Sequence, residues 1–322
     1  MTNKKLFETI KKNLKKADNA IVAVHVDPDG DTIGSALTMA MVLESFGVAT
    51  TIYSEDGIPE IYHFLPLAEK VVNKIAYKVH FDLAIALDAS DISRVGEKIN
   101  LREVASFLIN IDHHPDNTNY ADINYVEKRS STAECLYQLC KYLKIKINKE
   151  MAACLYTALI TDTGNFRYEN TSVDTFLMAA DLLRAGLNTH EITTNIYDTR
   201  SIPSLRIAAR ALSQMEFSAD HKVGWTVITK KMMAETRAKG EDLIGIVDQL
   251  RSVKGIEVAI LFREEKGKVK LNLRSKHDVN VSTIASLFDG GGHNKAAGAI
   301  IEGNVEDVKN RVLTEVLKHV RV

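Results

Sequence analysis

The 322-residue chain is poor in cysteine. Cys135, Cys140 and Cys154 are its only thiols, an odd number with no Cys-x-x-Cys pair. That excludes a disulfide framework or a zinc knuckle and predicts inert thiols in a reducing compartment. Long hydrophobic runs are also missing. Segments such as Ala20 to Val24 and Leu83 to Leu87 fall far short of the roughly 20 residues a membrane helix needs. The opening stretch MTNKKLFETIKKNLKKADN lacks the continuous apolar core of a signal peptide. A cytoplasmic protein with no membrane partner is expected. Neither sign of charge dominates: 41 Lys+Arg stand against 42 Asp+Glu, which excludes a polycation that grips long duplex nucleic acid by its field alone. Trp225 and the aromatics near Tyr53 and Tyr62 are not interleaved with basic residues, as a stacking platform for long single strands would require. No repeat or low-complexity tract is present.

What the chain does have is 45% hydrophobic residues, enough to fill the cores of about two domains. The balanced charge hides a split. Residues 191–322 hold 21 Lys+Arg and 17 Asp+Glu, residues 1–190 hold 20 and 25. An acidic metal lobe and a basic phosphate lobe would give such a split, and so would ordinary solvated surface.

Leu6, Ile10 and Leu14 recur every four residues among lysines, which predicts a first amphipathic helix. The β-branched run AIVAVHV and the helical GSALTMAMVLESFG, closed by Gly47, predict a strand followed by a helix. Further strands are expected at Ala49 to Tyr53, Asp82 to Leu87 and Phe107 to Ile111. Helices are expected from Ser131, where Ser131-x-x-Glu134 has the form of a capping box, and over Glu150 to Ile160. This pattern predicts an α/β fold, a parallel sheet with helices on both faces, in residues 1–190. Residues 191–215, polar and carrying Pro203, are expected to connect it to a smaller α/β domain at 216–322. There, strands are expected near Val223 to Ile228, Glu257 to Arg263 and Val269 to Arg274. Helices are expected near Glu241 to Arg251, Val281 to Phe288 and from Val305.

Chemistry-bearing residues cluster where those strands end. His25-Val26-Asp27-Pro28-Asp29-Gly30-Asp31 follows the first strand, Asp88 (with Asp91 and Arg94 beyond it) another, and Asp112-His113-His114 a third, while Asp162-Thr163-Gly164 closes a helix. Each cluster taken singly also reads as a cap, a surface turn or a helix stop. Together, three of the four reach one rim of a parallel sheet, where open α/β sheets bind ligands. Histidines with several carboxylates suit two hard, oxygen-preferring cations such as Mn²⁺ or Mg²⁺. Such a pair can lower the pKa of a water and steady the oxygens around an attacked phosphorus.

In order and spacing, HVDPDGD, Asp88, Asp112 to His114 and Asp162 resemble the four motifs of the DHH phosphoesterase superfamily. FDGGGHNKAAGA at 288–299 resembles the glycine-rich signature of its associated C-terminal domain. The resemblance spans essentially the whole chain and is strongest to stand-alone nano-RNases that act on oligoribonucleotides and 3'-phosphoadenosine-5'-phosphate. It implies His25 and Asp29 on one cation, Asp31, His113 and Asp162 on the other, and Asp88 bridging. It also implies Asp112 orienting the cluster and His114 facing the phosphate as ligand or general acid. Asp27 has no role in that pattern, and Thr32 stands where a small apolar residue is more usual.

In the second domain Arg274 resembles a phosphate-binding arginine, whose planar fork suits phosphate oxygens. Gly290, Gly291 and Gly292 could bring backbone amides to a phosphate, with His293 as a side-chain donor. Ser275 and Lys276 could assist. Arg94 either reaches substrate or pairs with Asp91. The resemblance implies a cleft between the domains, closed at one end, that admits short RNA of two to five nucleotides or a small nucleotide. Competing readings are a phosphodiesterase for c-di-AMP or pApA, a pyrophosphate or polyphosphate hydrolase, and a nucleotide receptor without catalysis. Relatives of this kind are often dimers, which leaves a homodimer open.

Overall fold

Apolar strands alternating with helices dominate the first part of the chain, and the computed structural model, which describes residues 3–320, turns them into a six-stranded parallel sheet. Its strands are β1 (Asn19–Val24), β2 (Ala49–Tyr53), β3 (Val71–Val72), β4 (Leu83–Leu87), β5 (Leu108–Asp112) and β6 (Ile123–Val126), in the order β3-β2-β1-β4-β5-β6. Strands β1, β4 and β5 are nearly continuous apolar runs because both faces of the sheet are covered.

The cover is unequal. Ala20, Val22 and Val24 of β1 face a large core built with α1 (Asn3–Lys16), α2 (Gly30–Ser45), α4 (Thr132–Leu143), α5 (Lys149–Asp162) and α6 (Val173–Arg184). Ile21 and Ala23 face a smaller core closed by the 3-10 turn Ile92–Val95, the one-turn helix α3 (Leu101–Val104) and loops. Helix α1 buries Phe7, Ile10 and Leu14, with Leu6 only partly covered. Helix α2 starts at Gly30, four residues before the expected Gly34, because Asp29 caps it by accepting from the Thr32 amide.

The chain divides into two compact units after Thr199. Residues 191–215, expected as a connector, are largely helical: α7 (Thr189–Thr193), a π-helical turn at Thr194–Asp198, and α8 (Ile202–Ser213). Pro203 does not interrupt the helix. It lies in the first turn of α8 behind the Ser201 cap, where a helix needs no amide from it.

The second unit carries a mixed sheet of order β11-β12-β10-β9-β8-β7. Its strands are β7 (Glu216–Phe217), β8 (Val223–Ile228), β9 (Val258–Glu264), β10 (Lys268–Ser275), β11 (Gly291–His293) and β12 (Ala296–Glu302). Only β8 and β9 pair in parallel, through a crossover containing α9 (Lys230–Thr236) and α10 (Ile246–Ser252). Helices α11 (Val281–Ser286) and α12 (Val305–Val320) cover one face and α8, α9 and α10 the other. The helix expected over 241–251 is broken at Gly245, whose φ of +85° ends a 3-10 turn before α10 begins.

Candidate metal centre

The strand order explains how residues far apart in sequence meet. His25 follows β1, Asp88 follows β4, and Asp112 is the last residue of β5. These three strands are neighbours, so their carboxyl ends form one rim where the strand order reverses. Asp29 and Asp31 open α2 from the same rim. Asp162 ends α5, which approaches α2 very closely: a Cβ on Gly34 would lie 2.3 Å from the Cys154 carbonyl, and one on Gly30 2.5 Å from the Thr161 side chain. These two glycines let the last turn of α5 join the cluster.

Asp88 occupies the middle, with a φ of +56° that is uncommon for a non-glycine residue. Its two oxygens turn to different partners. Oδ2 is 3.5 Å from His25 Nε2, while Oδ1 is 3.5 Å from His113 Nε2. His113 Nε2 also lies 3.8 Å from Asp31 and 3.6 Å from Asp162. Both imidazoles are oriented by backbone: His25 Nδ1 donates to the Val26 carbonyl at 2.7 Å and His113 Nδ1 to that of Arg129 at 3.2 Å. Nε2 is thus the nitrogen that each ring presents to the carboxylates. His25, Asp29 and Asp88 form one group, and Asp31, His113 and Asp162 another, each with ligand atoms within 4.8 Å of one another.

Asp31, Asp88 and His113 are buried, so this concentration of negative charge is costly without a cation. Burial and the neighbouring carboxylates push Asp31 and Asp162 well above the usual carboxylate range. Asp88 is held well below it, because the hydrogen bond from His25 and the charges of the histidines overcome its burial. Imidazole nitrogens and carboxylate oxygens with no thiolate fit two hard divalent cations.

Asp112 is wholly buried and plays a different part. It accepts from His114 Nδ1 at 2.7 Å and from the Asn117 amide at 2.6 Å, and Asn117 is itself bonded to Asn110 at 2.8 Å. Burial opposes a charge on His114, yet the bond to Asp112 and the charge of Asp88 raise its pKa.

Sequence reasoning missed the start of α4. The Thr132 and Ala133 amides donate to the two oxygens of Asp31 at 2.7 and 3.0 Å, and the Thr132 hydroxyl donates to Asp88 Oδ1 at 2.9 Å. The amides at the helix N-terminus therefore hold Asp31, and the Thr132 side chain aims Asp88. The signal lay in Ser131-x-x-Glu134, read only as a capping box. Ser131 does accept from the Glu134 amide, but the Glu134 carboxylate binds Ser130 and Arg129 instead of closing the box.

Asp27 is exposed at a φ of +52°, its amide donating to Asp56. Arg94 is exposed as well, with its carbonyl accepting from the Val26 amide at 2.8 Å. The Asp91 carboxylate accepts from Ser93 and Thr118, while the Arg94 amide donates to the Asp91 carbonyl.

In the second unit, register sets Arg274 beside Ala296 and Ala296 beside His293, with Asn272, Gly298 and Gly291 in the next row. Alternation puts these residues on one partly open face while Val269, Leu271 and Leu273 fill the core. Asn272 was not singled out from the sequence. Arg274 Nε lies 3.7 Å from Asp248. Gly291 and Gly292 belong to the edge strand β11, with Gly290 just before it, rather than to a free loop. A Cβ on Gly290 would meet the Gly298 carbonyl at 2.2 Å and one on Gly292 the Ala296 carbonyl at 2.6 Å, whereas Gly291 faces open space. Two of the three therefore serve close packing on β12. Ser275 and Lys276 hold local backbone: the Ser275 hydroxyl donates to the Val279 carbonyl and the Lys276 ammonium to that of Val253.

A rim of carboxylates and imidazoles on a parallel sheet, followed by a separate mixed-sheet unit, defines a two-domain α/β hydrolase. The chain belongs to the DHH family of phosphoesterases: residues 19–159 match the DHH family, N-terminal domain, and residues 224–321 the DHHA1 domain. It is 32% identical to the bifunctional oligoribonuclease and PAP phosphatase of Thermus thermophilus, over 94% of this chain and 91% of that one. The Bacillus subtilis protein of the same description is 26% identical, over 88% and 90%. An exopolyphosphatase-related protein from Bacteroides fragilis superposes with a TM-score of 0.89 at 26% identity, covering 98% of this chain and 96% of that structure.

Proposed function

We propose that the protein is a cytoplasmic, Mn²⁺-dependent phosphoesterase that hydrolyses short oligoribonucleotides and 3'-phosphoadenosine-5'-phosphate. The observation that carries this reading is the placement of Asp88, whose two oxygens face two separate nitrogen and carboxylate groups. One carboxylate spanning two such groups suits a shared pair of cations. His25, Asp29 and Asp88 would hold one and Asp31, His113, Asp162 and Asp88 the other. When bound, the pair supplies Lewis acidity that lowers the pKa of a water and neutralises phosphate charge.

The chain's own residues do the rest. Thr132 fixes the carboxylate plane of Asp88 through its hydroxyl, and the amides at the start of α4 hold Asp31. Asp112 keeps the proton of His114 on Nδ1, so that Nε2 is the atom that meets a phosphate oxygen or protonates the leaving group. Arg274, His293 and the open face of Gly291 would grip a phosphate of the substrate. Free, buried cysteines fit a reducing compartment, where burial raises the Cys140 thiol to about 12. Among the described residues no helix is long and apolar enough to cross a membrane.

The Thermus thermophilus relative, described as oligoribonuclease and PAP phosphatase, supports these substrates. The Bacteroides fragilis structure, described as exopolyphosphatase-related, favours a second reading, polyphosphate as substrate, for which pyrophosphate is the shortest test compound. A product time course separates them, using labelled RNAs of increasing length, 3'-phosphoadenosine-5'-phosphate, pApA and pyrophosphate, each with and without Mn²⁺. Mononucleotide release from the shortest RNAs is expected. Phosphate release from pyrophosphate alone would sink the proposal, and preference for pApA would shift it to dinucleotides. Asp88→Ala is expected to cost more than about a hundredfold in turnover and to lower bound metal; wild-type turnover would remove the bridging role.

A further inference from the structure

The Thr32 hydroxyl is packed among three of the proposed ligands. Its Oγ1 lies 2.6 Å from His25 Nε2, 2.9 Å from Asp29 Oδ1 and 2.8 Å from Asp88 Oδ2. Thr32 itself is wholly buried. A hydroxyl has one hydrogen and two lone pairs. It can donate to only one of the carboxylates at a time; in the metal-binding state of His25, with its proton on Nδ1 towards the Val26 carbonyl and Nε2 bare, the oxygen lone pairs of Thr32 are directed into atoms that are themselves electron-rich. Helix geometry holds it there, since Thr32 is in the first turn of α2 and its amide is the one that Asp29 caps. A β-branched side chain in a helix has few rotamers into which to withdraw.

We propose that Thr32 is a fourth protein ligand of the cation held by His25, Asp29 and Asp88, resting on the two-cation reading above. An oxygen at nearly equal distance from three ligand atoms that lie within 4.8 Å of one another caps their triangle. A small ion seated among the three would have that oxygen beside it. The added donor is neutral and hard. It raises the coordination number without adding charge, which favours Mn²⁺ or Mg²⁺ over an ion content with four ligands such as Zn²⁺. Around Asp31, His113 and Asp162 the neighbouring hydroxyls bond one carboxylate each, Ser35 to Asp31 and Thr132 to Asp88, and neither spans three ligand residues as Thr32 does, so the two positions would differ in affinity.

The test is Mn²⁺ binding to the full metal-free chain, followed by calorimetric titration without substrate. Wild type, Thr32→Val and Thr32→Ser are compared, valine keeping the shape and serine the hydroxyl. Wild type is expected to show two classes of site. Thr32→Val should weaken one of them about tenfold or more, corresponding to the loss of one ligand contact on the order of 1.4 kcal/mol, while leaving the other unchanged. Thr32→Ser should restore it. Mn²⁺ bound by Thr32→Val as tightly as by wild type, or more tightly, overturns the inference; tighter binding would mean that the hydroxyl is displaced by the ion. Binding of no Mn²⁺ by wild type would instead sink the two-cation reading. Should Thr32→Val fail to fold, the absorption of Co²⁺ bound to wild type and Thr32→Ser decides. Intensities of a five- or six-coordinate ion support the ligand, and strong four-coordinate bands in both at one equivalent refute it.

Discussion

The two units place their candidate residues in opposite environments. In the first, Asp31, Asp88, Asp112 and His113 are buried charged or titratable groups held by helix amides, hydroxyls and one another. In the second, Arg274, Asn272 and His293 stand on a partly open sheet face, and the glycines beside them are packed for shape. The contrast follows from the work proposed for each. Gathering cations needs converging carboxylates in a site of low dielectric, whose mutual repulsion bound ions would offset. Recognising a phosphate needs accessible donors, and these cost little when the site is empty.

The largest expected effect tests that difference directly. Removing divalent cations from the full chain with a chelator should lower the unfolding midpoint of the first unit by about 5–10 °C, on the order of 2.7 kcal/mol for ions at a hundred times their Kd. The second unit should not move. Scanning calorimetry of the full chain in Mn²⁺ and in chelator measures this, and equal shifts in both units would break the comparison.

An intermediate effect probes the second unit. Gly292 has a φ of +136° and no room for a Cβ, whereas Gly291 has nothing within 4 Å. Gly292→Ala should destabilise the second unit by about 1–3 kcal/mol, and Gly291→Ala by no more than about 0.5 kcal/mol. Urea unfolding of both variants checks the ranking; equal losses would mean that the edge strand is not fixed by its packing on β12.

The smallest effect sets an exposed ion pair against the buried cluster. Burial would raise Asp122, but the bond from Arg102 at 2.6 Å and the Leu108 amide hold it below the usual carboxylate range. Its contribution is therefore present above roughly pH 4 and is lost as pH falls through the depressed folded-state value. Both partners are about a third or more exposed, so solvent limits the pair to about 0.2–1 kcal/mol. The stability gap between wild type and Asp122→Asn should be measurable at pH 6 and shrink towards pH 3. A gap that widens on acidification would contradict the assignment.

Much of the first unit was legible in the sequence because strand runs such as LAIAL and FLINI are largely apolar and end abruptly in aspartate. Periodicity found β2 to the residue, yet it passed over β6 and α6. The four residues of β6 are too few to set a period. On α6, Val173, Phe176, Leu177 and Leu183 are exposed, so apolar residues do not mark its buried side. In the second unit β12 was absorbed into a glycine-rich motif, because AAGAII carries small residues that read as loop until a neighbouring strand requires them.

By itself the sequence determined which chemical groups are available and that they stand at the ends of strands, since side-chain type and hydrophobic period are local properties. Tertiary structure alone decided that the two oxygens of Asp88 face different groups, that Thr132 and Thr32 belong to the cluster, and that Gly30 and Gly34 admit Asp162 to it. These are contacts between residues tens of positions apart. Strand order and helix packing fix their distances, and no local pattern encodes them.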